Sequence, residues 1–492
     1  MMKRYASFVF LLVFALDLLS MTSPTNAQST DAPGFRGIWY QITSNSGDYP
    51  NKYGGGMPTY PQQHSPIAIY SPDANKTFFT FGGRDPDNGK LQHVISYYDH
   101  ATGRVARPKV WLEGEKTNTG NAHDNPVLAM DDQGHLYQFS NVHGNSRRSY
   151  IRRSTQPFSI EQRVGLLSVH DPADVAIFGG SHGEVRFSYG NPWFLPRHDR
   201  FLFTHTRYDG QNRQVRFTTS ADADTWAPAR DLANMERGQY MVTWRKPDGK
   251  TVGAILNMHP RGGPTGSGND ARTNLYYLET DDVGQTWRAA DGTEVSVPLT
   301  DADNAALVRD YQSQGLNVYI KDVNYTSAGN PVVMYLTSGG PEPGPDNNPR
   351  TVRIAHFDGT RWRDHAVTQT DHNYDHGSLY IESDDRWRIV APFLDGPQAW
   401  GTGGEIGVWQ TADQGKTWEL TDQLTRDSNK NHSYVRRPLH AHDDFYAIWA
   451  SGHAFSKSAV ELYFSDKAGN VYRLPYDMEA EFADPILVRP IP

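Results

Sequence analysis

Thr411-Ala412-Asp413-Gln414-Gly415-Lys416-Thr417-Trp418 is a short segment with a compact logic. Its aspartate can hydrogen-bond backbone and hydroxyl groups inside a tight hairpin turn, while the tryptophan packs beneath that turn. The pattern has already occurred twice upstream. Ser220-Ala221-Asp222-Ala223-Asp224-Thr225-Trp226 and Thr280-Asp281-Asp282-Val283-Gly284-Gln285-Thr286-Trp287 carry the same order of hydroxyl, acid, threonine and tryptophan. Looser echoes stand at Asp131-Asp132-Gln133-Gly134, at Phe357-Asp358-Gly359-Thr360-Arg361-Trp362 and at Ser465-Asp466-Lys467-Ala468-Gly469.

These segments resemble the Asp-box, S-x-D-x-G-x-T-W. Between them lie short alternating runs bounded by Gly, Asn and Asp, with no long helix-period segment. Repeated hairpins of this kind signal an all-β protein built as a β-propeller. Dividing the chain by blades of about 50–65 residues gives roughly seven or eight. A seven-bladed β-propeller with Asp-box-like turns is the expectation, each blade a four-stranded sheet and the ring closed by a terminal strand paired with the blade at the other end. No composition break divides the chain, and Pro341–Pro349 reads as a surface loop. Residues 28–492 are therefore expected to form one catalytic propeller domain.

The first 27 residues read as a signal peptide. Lys3 and Arg4 form a basic start, Phe8 to Leu19 an apolar run, and Thr25-Asn26-Ala27 a small-residue cleavage site. The apolar run is too short to span a bilayer as a helix. A secreted or periplasmic protein, without membrane attachment and monomeric, is expected. There are no cysteines, which excludes disulfides, thiolate metal sites and a cysteine nucleophile. The net charge of −9 argues against a nucleic-acid partner, and much less against a polyanion, because steering depends on local charge.

Residues with chemistry cluster at strand ends. Asn121–Arg153 reads as strand, turn, strand, with His123 before the first strand and His143 after the second, so both return to one edge. The next hairpins add Tyr189 beside a Gly-Asn-Pro turn, Arg207 and Tyr208 at the end of a strand, then Tyr240 and His259. Each alone has an ordinary explanation as a rim or turn residue. Together they lack a paired-carboxylate motif, and suit removal of an acidic C–H proton better than glycoside hydrolysis. The run Arg147-Arg148…Arg152-Arg153 is either a solvated edge or a contact for anionic groups, and strand alternation allows only part of it to face one groove.

The ordered series His123-Asp124-Asn125-Pro126, Val142-His143-Gly144-Asn145, Ser188-Tyr189-Gly190-Asn191-Pro192, Phe203-Thr204-His205-Thr206-Arg207, Met258-His259-Pro260, Asp375-His376-Gly377-Ser378-Leu379-Tyr380 and Gly403-Gly404-Glu405-Ile406 is similar to the BNR-repeat propellers that include the ulvan lyases. Polysaccharide lyase family 25 is the nearer likeness, with family 24 next. The resemblance implies a secreted, endo-acting lyase. It would cleave ulvan, a sulfated rhamnose–uronic acid polysaccharide, by β-elimination and leave unsaturated uronyl ends.

It also implies catalytic roles for His123, His143, Tyr189 and Arg207. Arg207, with His143, would neutralise the uronate carboxylate. Tyr189 or His123 would take the C5 proton, and one of them would protonate the leaving oxygen. Asn125, Tyr208, Tyr240 and Arg147 are the accompanying substrate contacts. A structural zinc ion held by His259, His376 and Asp322 is implied as well, with no organic cofactor. Two other readings stay open: a sialidase-like exo-glycosidase, although no Arg-Ile-Pro motif is present, and a non-catalytic sugar-binding propeller.

Overall fold

The computed structural model describes residues 27–45, 47–117, 119–144, 147–167, 172–178, 184–210 and 212–489. The signal-peptide reading falls almost wholly on residues 1–26, outside the described residues. Among the described residues, α-helix is confined to Gly114–Thr117 and Pro172–Phe178, and none is long and apolar enough to cross a membrane.

Antiparallel sheets follow one another along the chain. Four are plain four-stranded meanders whose strands pair in sequence order: Ser188–Ala233, Met241–Arg309, Asn317–Thr370 and Ser378–Gln423. The sheets flanking them are larger. The one containing Pro126–Gly165 gains Ala27–Gln28 as an extra edge strand, and the one built on His432–Arg473 gains Ile486–Arg489. The sheet built on Ala68–Leu112 has seven strands, because it recruits Thr30–Asp31 from the N-terminal side and Phe482–Ala483 from the C-terminal side. A two-stranded hairpin, Trp39–Thr43 with Asn51–Gly56, stands outside these sheets.

The all-β class expected from sequence is what the chain adopts. The expected seven-bladed ring of uniform four-stranded blades is overturned: four sheets are four-stranded, two have five strands and one has seven. Dividing a chain by an average blade length assumes equal blades. Here edge strands from both ends of the chain are distributed over three different sheets.

The first strands of successive sheets pack side by side around the axis. Large aromatics fill the space between sheets: Trp193 meets Trp244 with ring centroids 5.1 Å apart, and Phe217 meets Trp287 at 5.5 Å. Burying such a side chain stabilises by roughly 1.5–3 kcal/mol. Their polar edges stay satisfied where a partner is near, as in the Trp193 indole N–H donating to Thr243 Oγ1 at 2.8 Å.

The Asp turns are built as their residues suggest. Asp413 Oδ1 accepts from the Thr417 N–H at 2.9 Å while Asp413 Oδ2 accepts from the Thr417 hydroxyl at 2.7 Å. Asp282 repeats both contacts with Thr286. Among the looser echoes, Asp131, Asp358 and Asp466 each accept two backbone N–H bonds within their turns. Gly415 has φ +79°, and a Cβ there would lie 2.6 Å from Trp387 Cζ3. Left-handed backbone and a close ring both demand glycine.

Gly415→Ala is therefore expected to lower stability by about 1–3 kcal/mol. Lys416→Ala, one residue on and exposed, should stay within about 0.5 kcal/mol of the parent in the same urea titration. Equal midpoints for the two variants would refute this account of the turn.

Candidate active site

The N-terminal ends of the first strands open on one face of the ring, and the hairpin Trp39–Thr43/Asn51–Gly56 adds Tyr40 and Tyr53 there. His123 lies in a 3-10 turn, Ala122–Asp124, just before the strand Pro126–Met130. Its N-cap, Asn121, uses one oxygen twice. Asn121 Oδ1 accepts the His123 backbone N–H at 3.0 Å and lies 2.6 Å from His123 Nδ1. An oxygen that already accepts one N–H fixes the ring as the Nδ1–H tautomer. Nε2 is then the acceptor, 2.6 Å from the Tyr60 hydroxyl and 3.1 Å from that of Tyr53.

His143 stacks on His123, ring centroids 4.1 Å apart and 24° from parallel. The hairpin thus brings both histidines together, as its strand–turn–strand pattern implied. Asp124 secures the arrangement: Asp124 Oδ1 accepts the His143 N–H at 2.7 Å, and its carboxylate pairs with Arg147 at 2.7 Å. Burial pushes the Asp124 carboxyl up to about 6, against the pull of Arg147. Arg147 also donates to the His143 carbonyl at 2.9 Å. Its role is to brace this loop rather than to wait free for substrate.

Tyr189 enters from the next sheet. It sits at a β-bulge with φ +49°, which turns its ring towards both histidines, 6.3 Å from each centroid. Tyr208 meets His143 edge-on at 5.7 Å, and Tyr240 meets Tyr189 edge-on at 5.4 Å. The structure therefore gathers His123, His143, Tyr189, Tyr208 and Tyr240.

It does not add Arg207. In the hairpin Arg200–Asp209/Asn212–Ser220, Tyr208 lies opposite Arg213 while Arg207 lies opposite Gln214. Successive residues point to opposite faces of a sheet, so Arg207 is on the wrong face. The guanidinium that reaches the cluster belongs to Arg213, 5.3 Å from the Tyr208 ring and 5.5 Å from that of Tyr240. Arg272, buried, stacks on the other rings, 4.6 Å from Tyr240 and 4.5 Å from Tyr319.

These two cations set the local acidity. Burial raises the hydroxyl of Tyr189 well above the ordinary phenol value, and Tyr208 and Tyr240 add to it. Tyr53 and Tyr60 are raised for the same first reason. Tyr240 goes the other way. Burial works to raise it, but Arg213 and then Arg272 outweigh that and bring it below the ordinary value. Burial drives His123 well below its usual range, helped by His143 and His64, and His143 down to about 4, helped by Arg213 and Arg147.

Three further sequence expectations change. Asn125 is no substrate contact: it is 1 % exposed, and its amide donates to the carbonyls of Met57, Pro58 and Tyr60. It clamps the loop that delivers Tyr60. Asp322 is no metal ligand. Its oxygens accept the N–H groups of Val323 and Leu379 and pair with Arg437. His259 and His376 are buried, His259 edge-on to Tyr240 at 4.6 Å and His376 stacked on Tyr434 at 5.2 Å. Among the described residues His259, His376 and Asp322 do not converge as a ligand set, so these residues do not fit the implied zinc ion.

A cavity of about 270 Å³ lined by Tyr208, Arg213, Arg237, Gly268 and Asn269 adjoins the cluster. The larger cavity of about 900 Å³ lies at the opposite ends of the strands, beside Met130 and Arg245, away from these histidines. Tyr53, Tyr60, His64, Arg213 and Arg272 were not singled out by sequence. For Arg213 a signal existed, since a tight reversal after Asp209 places it opposite Tyr208. For Tyr53 and Tyr60 there was none, because their hairpin and loop lie outside the repeats.

With this geometry in hand, the profile of the BNR repeat-containing family matches residues 91–370. The chain belongs to that family. The structure of a polysaccharide lyase of family 25, an ulvan lyase, is similar at a TM-score of 0.68 and 15 % identity, covering 89 % of this chain and 96 % of that one. A second structure of that lyase, bound to the unit GlcA(1-4)Rha3S, is similar at a TM-score of 0.68 and 14 % identity, with the same coverage. At such identity the likeness is one of fold. A search of curated protein sequences returned no match.

The many buried neutral imidazoles make a pH prediction. His93 and His205 are held to about 3, His372 to about 3, and His143 and His432 to about 4, each chiefly by burial. Unfolding releases them to protonate near 6.5. The stability they contribute is complete above that value and is lost as pH falls towards 4. Asp124 and Asp371, both raised to about 6, act in the opposite sense but are fewer. Tm should fall steadily from pH 7 to pH 4.5; a flat or rising Tm would refute it.

Proposed function

We propose that this chain is an exported, endo-acting polysaccharide lyase that cleaves an ulvan-type uronate polymer by β-elimination. One observation carries the reading: Tyr240, held between Arg213 and Arg272, adjoins Tyr189, which itself faces the stacked pair His123 and His143. The fold shared with an ulvan lyase supports the substrate class. Nearby carboxylates do not offer the pair that glycoside hydrolysis uses, since Asp124 is committed to Arg147 and Asp270 to Lys52.

In this reading Arg213 faces the uronate carboxylate and neutralises the charge that builds on it as C5 loses its proton. Tyr240, whose hydroxyl the two arginines bring below the ordinary phenol value, takes that proton as its phenolate and becomes the neutral phenol. The C5–H electron pair becomes the C4=C5 double bond, and the C4–O4 bond breaks. Tyr189, which burial keeps protonated, gives its proton to the departing oxygen. His143, neutral and half-buried at the mouth, hydrogen-bonds the sugar. His123, with both nitrogens engaged, positions Tyr60 and His143.

Incubation with ulvan should produce ultraviolet-absorbing unsaturated uronyl ends, with an early drop in polymer size that marks endo-action. Tyr240→Phe should lose about 10²–10⁴-fold in rate, and Arg213→Ala about 10²–10³-fold, while Arg207→Ala stays near the parent. Equal losses for Arg207→Ala and Arg213→Ala would sink the assignment. Saturable binding without cleavage would instead indicate a sugar-binding propeller, and saturated products would indicate a glycosidase. Mass spectrometry of exported protein should find an N-terminus at Gln28.

A further inference from the structure

A second cluster of chemistry lies far from the histidine–tyrosine site, where the first and last sheets meet. His100 follows the strand Leu91–Asp99. His442 and Asp444 sit in the connection that leads from His432–Arg436 to Ala447–Ser451. The two imidazole rings are 4.0 Å apart. Tyr70, from the strand Ala68–Ser71, walls them in at 5.1 and 4.8 Å.

The atoms that meet there are electron-pair donors, although His442 Nδ1 also accepts the Asp444 backbone N–H at 3.2 Å, a bond that an ion would displace. His100 Nδ1 is 3.7 Å from Asp444 Oδ2, and His442 Nδ1 is 3.6 Å from the same oxygen. Both separations are too long for hydrogen bonds. They lie close to the roughly 3.3 Å that separates two ligands on a tetrahedral ion with bonds of about 2.0 Å. The His100 side chain is only 2 % exposed, yet its Nδ1 has no hydrogen-bond partner. Its Nε2 is 2.8 Å from the Thr77 hydroxyl, which is buried and can accept the ring proton. That leaves a bare, buried Nδ1 lone pair aimed at a carboxylate. Metal-bound histidines are held in this way, the second nitrogen tied to an oxygen.

We propose that His100, His442 and Asp444 form a site for a divalent transition ion of the zinc class, which ties the first sheet to the last across the closure of the ring. Two imidazole nitrogens and one carboxylate oxygen suit zinc and do not suit calcium, which takes oxygen ligands. Three protein ligands leave a fourth position for water. The 900 Å³ cavity, lined in part by Tyr70 and His442, brings solvent to that position. The ion binds residues that only the folded ring brings together, so its binding energy adds to folding.

The test uses the full-length protein, stripped with chelator, dialysed and then given zinc chloride. Zinc should raise Tm by several degrees, and the parent should retain one more equivalent of zinc per chain than His442→Ala or Asp444→Asn. Both substitutions are on the accessible side of the site, with 31 % and 60 % side-chain exposure, so each variant should fold. In chelator their Tm should match that of the stripped parent, and calcium chloride should shift none of the proteins. A stripped parent that takes up no zinc would overturn the proposal. So would variants that keep the same zinc content and the same shift, or an equal response to calcium.

Discussion

Two backbone hydrogen bonds hold the first and last sheets together on the inner wall of the ring. The Tyr70 N–H donates to the Leu439 carbonyl at 2.9 Å, and the Leu439 N–H donates to the Ala68 carbonyl at 2.8 Å. A propeller sheet buries its faces only against neighbours, so a ring left open at one joint exposes two apolar faces at once. The chain reinforces this joint on the outside with Phe482–Ala483 paired to Arg104–Ala106. Phe445 stacks on Phe79 from the other side of the seam at 5.5 Å. The candidate site depends on this closure too. Tyr60, which reaches His123, lies in a stretch whose carbonyls, those of Thr59 and Pro61, accept from Arg436 of the last sheet.

Much of the architecture was legible because its signals are local. An aspartate that must accept nearby N–H groups, with a glycine and a tryptophan at fixed offsets, writes a hairpin turn into a few residues. What was not legible is the distribution of edge strands. Ala27–Gln28, Thr30–Asp31 and Phe482–Ala483 are two-residue strands that no alternation pattern can reveal. Their partners lie far away in sequence, and only tertiary packing selects them.

The site divides along the same line. His123 and His143 were legible because one hairpin carries both, and the reversal that joins them is itself local. Arg207 failed on parity. Position along a strand decides whether a side chain reaches a site, and one residue's shift moves it to the other face. Arg213 reaches the tyrosine cluster because it stands opposite Tyr208 across the reversal. Asn125 shows the complementary error. A polar residue next to a histidine of the site looks like a substrate contact, but an amide with buried carbonyls around it is consumed by them first.

The tyrosines around Arg213 and Arg272 show how one environment can set two acidities. Tyr189 and Tyr240 are neighbours and equally enclosed, and burial pushes both hydroxyls upward. Only Tyr240 lies against both guanidinium groups, and a buried cation acts on an adjacent phenol with little screening. Coulomb attraction therefore prevails at one hydroxyl while desolvation prevails at the other. Groups that a shared pocket drives apart in this way are suited to act as base and acid at one pH. The same enclosure keeps His143 and His123 neutral, so they offer hydrogen bonds without adding positive charge beside Arg213. In the proposed reaction an anionic sugar would meet the fixed positive charge of the arginines, which would place its carboxylate, and hence C5, on the Tyr240 side of the pair.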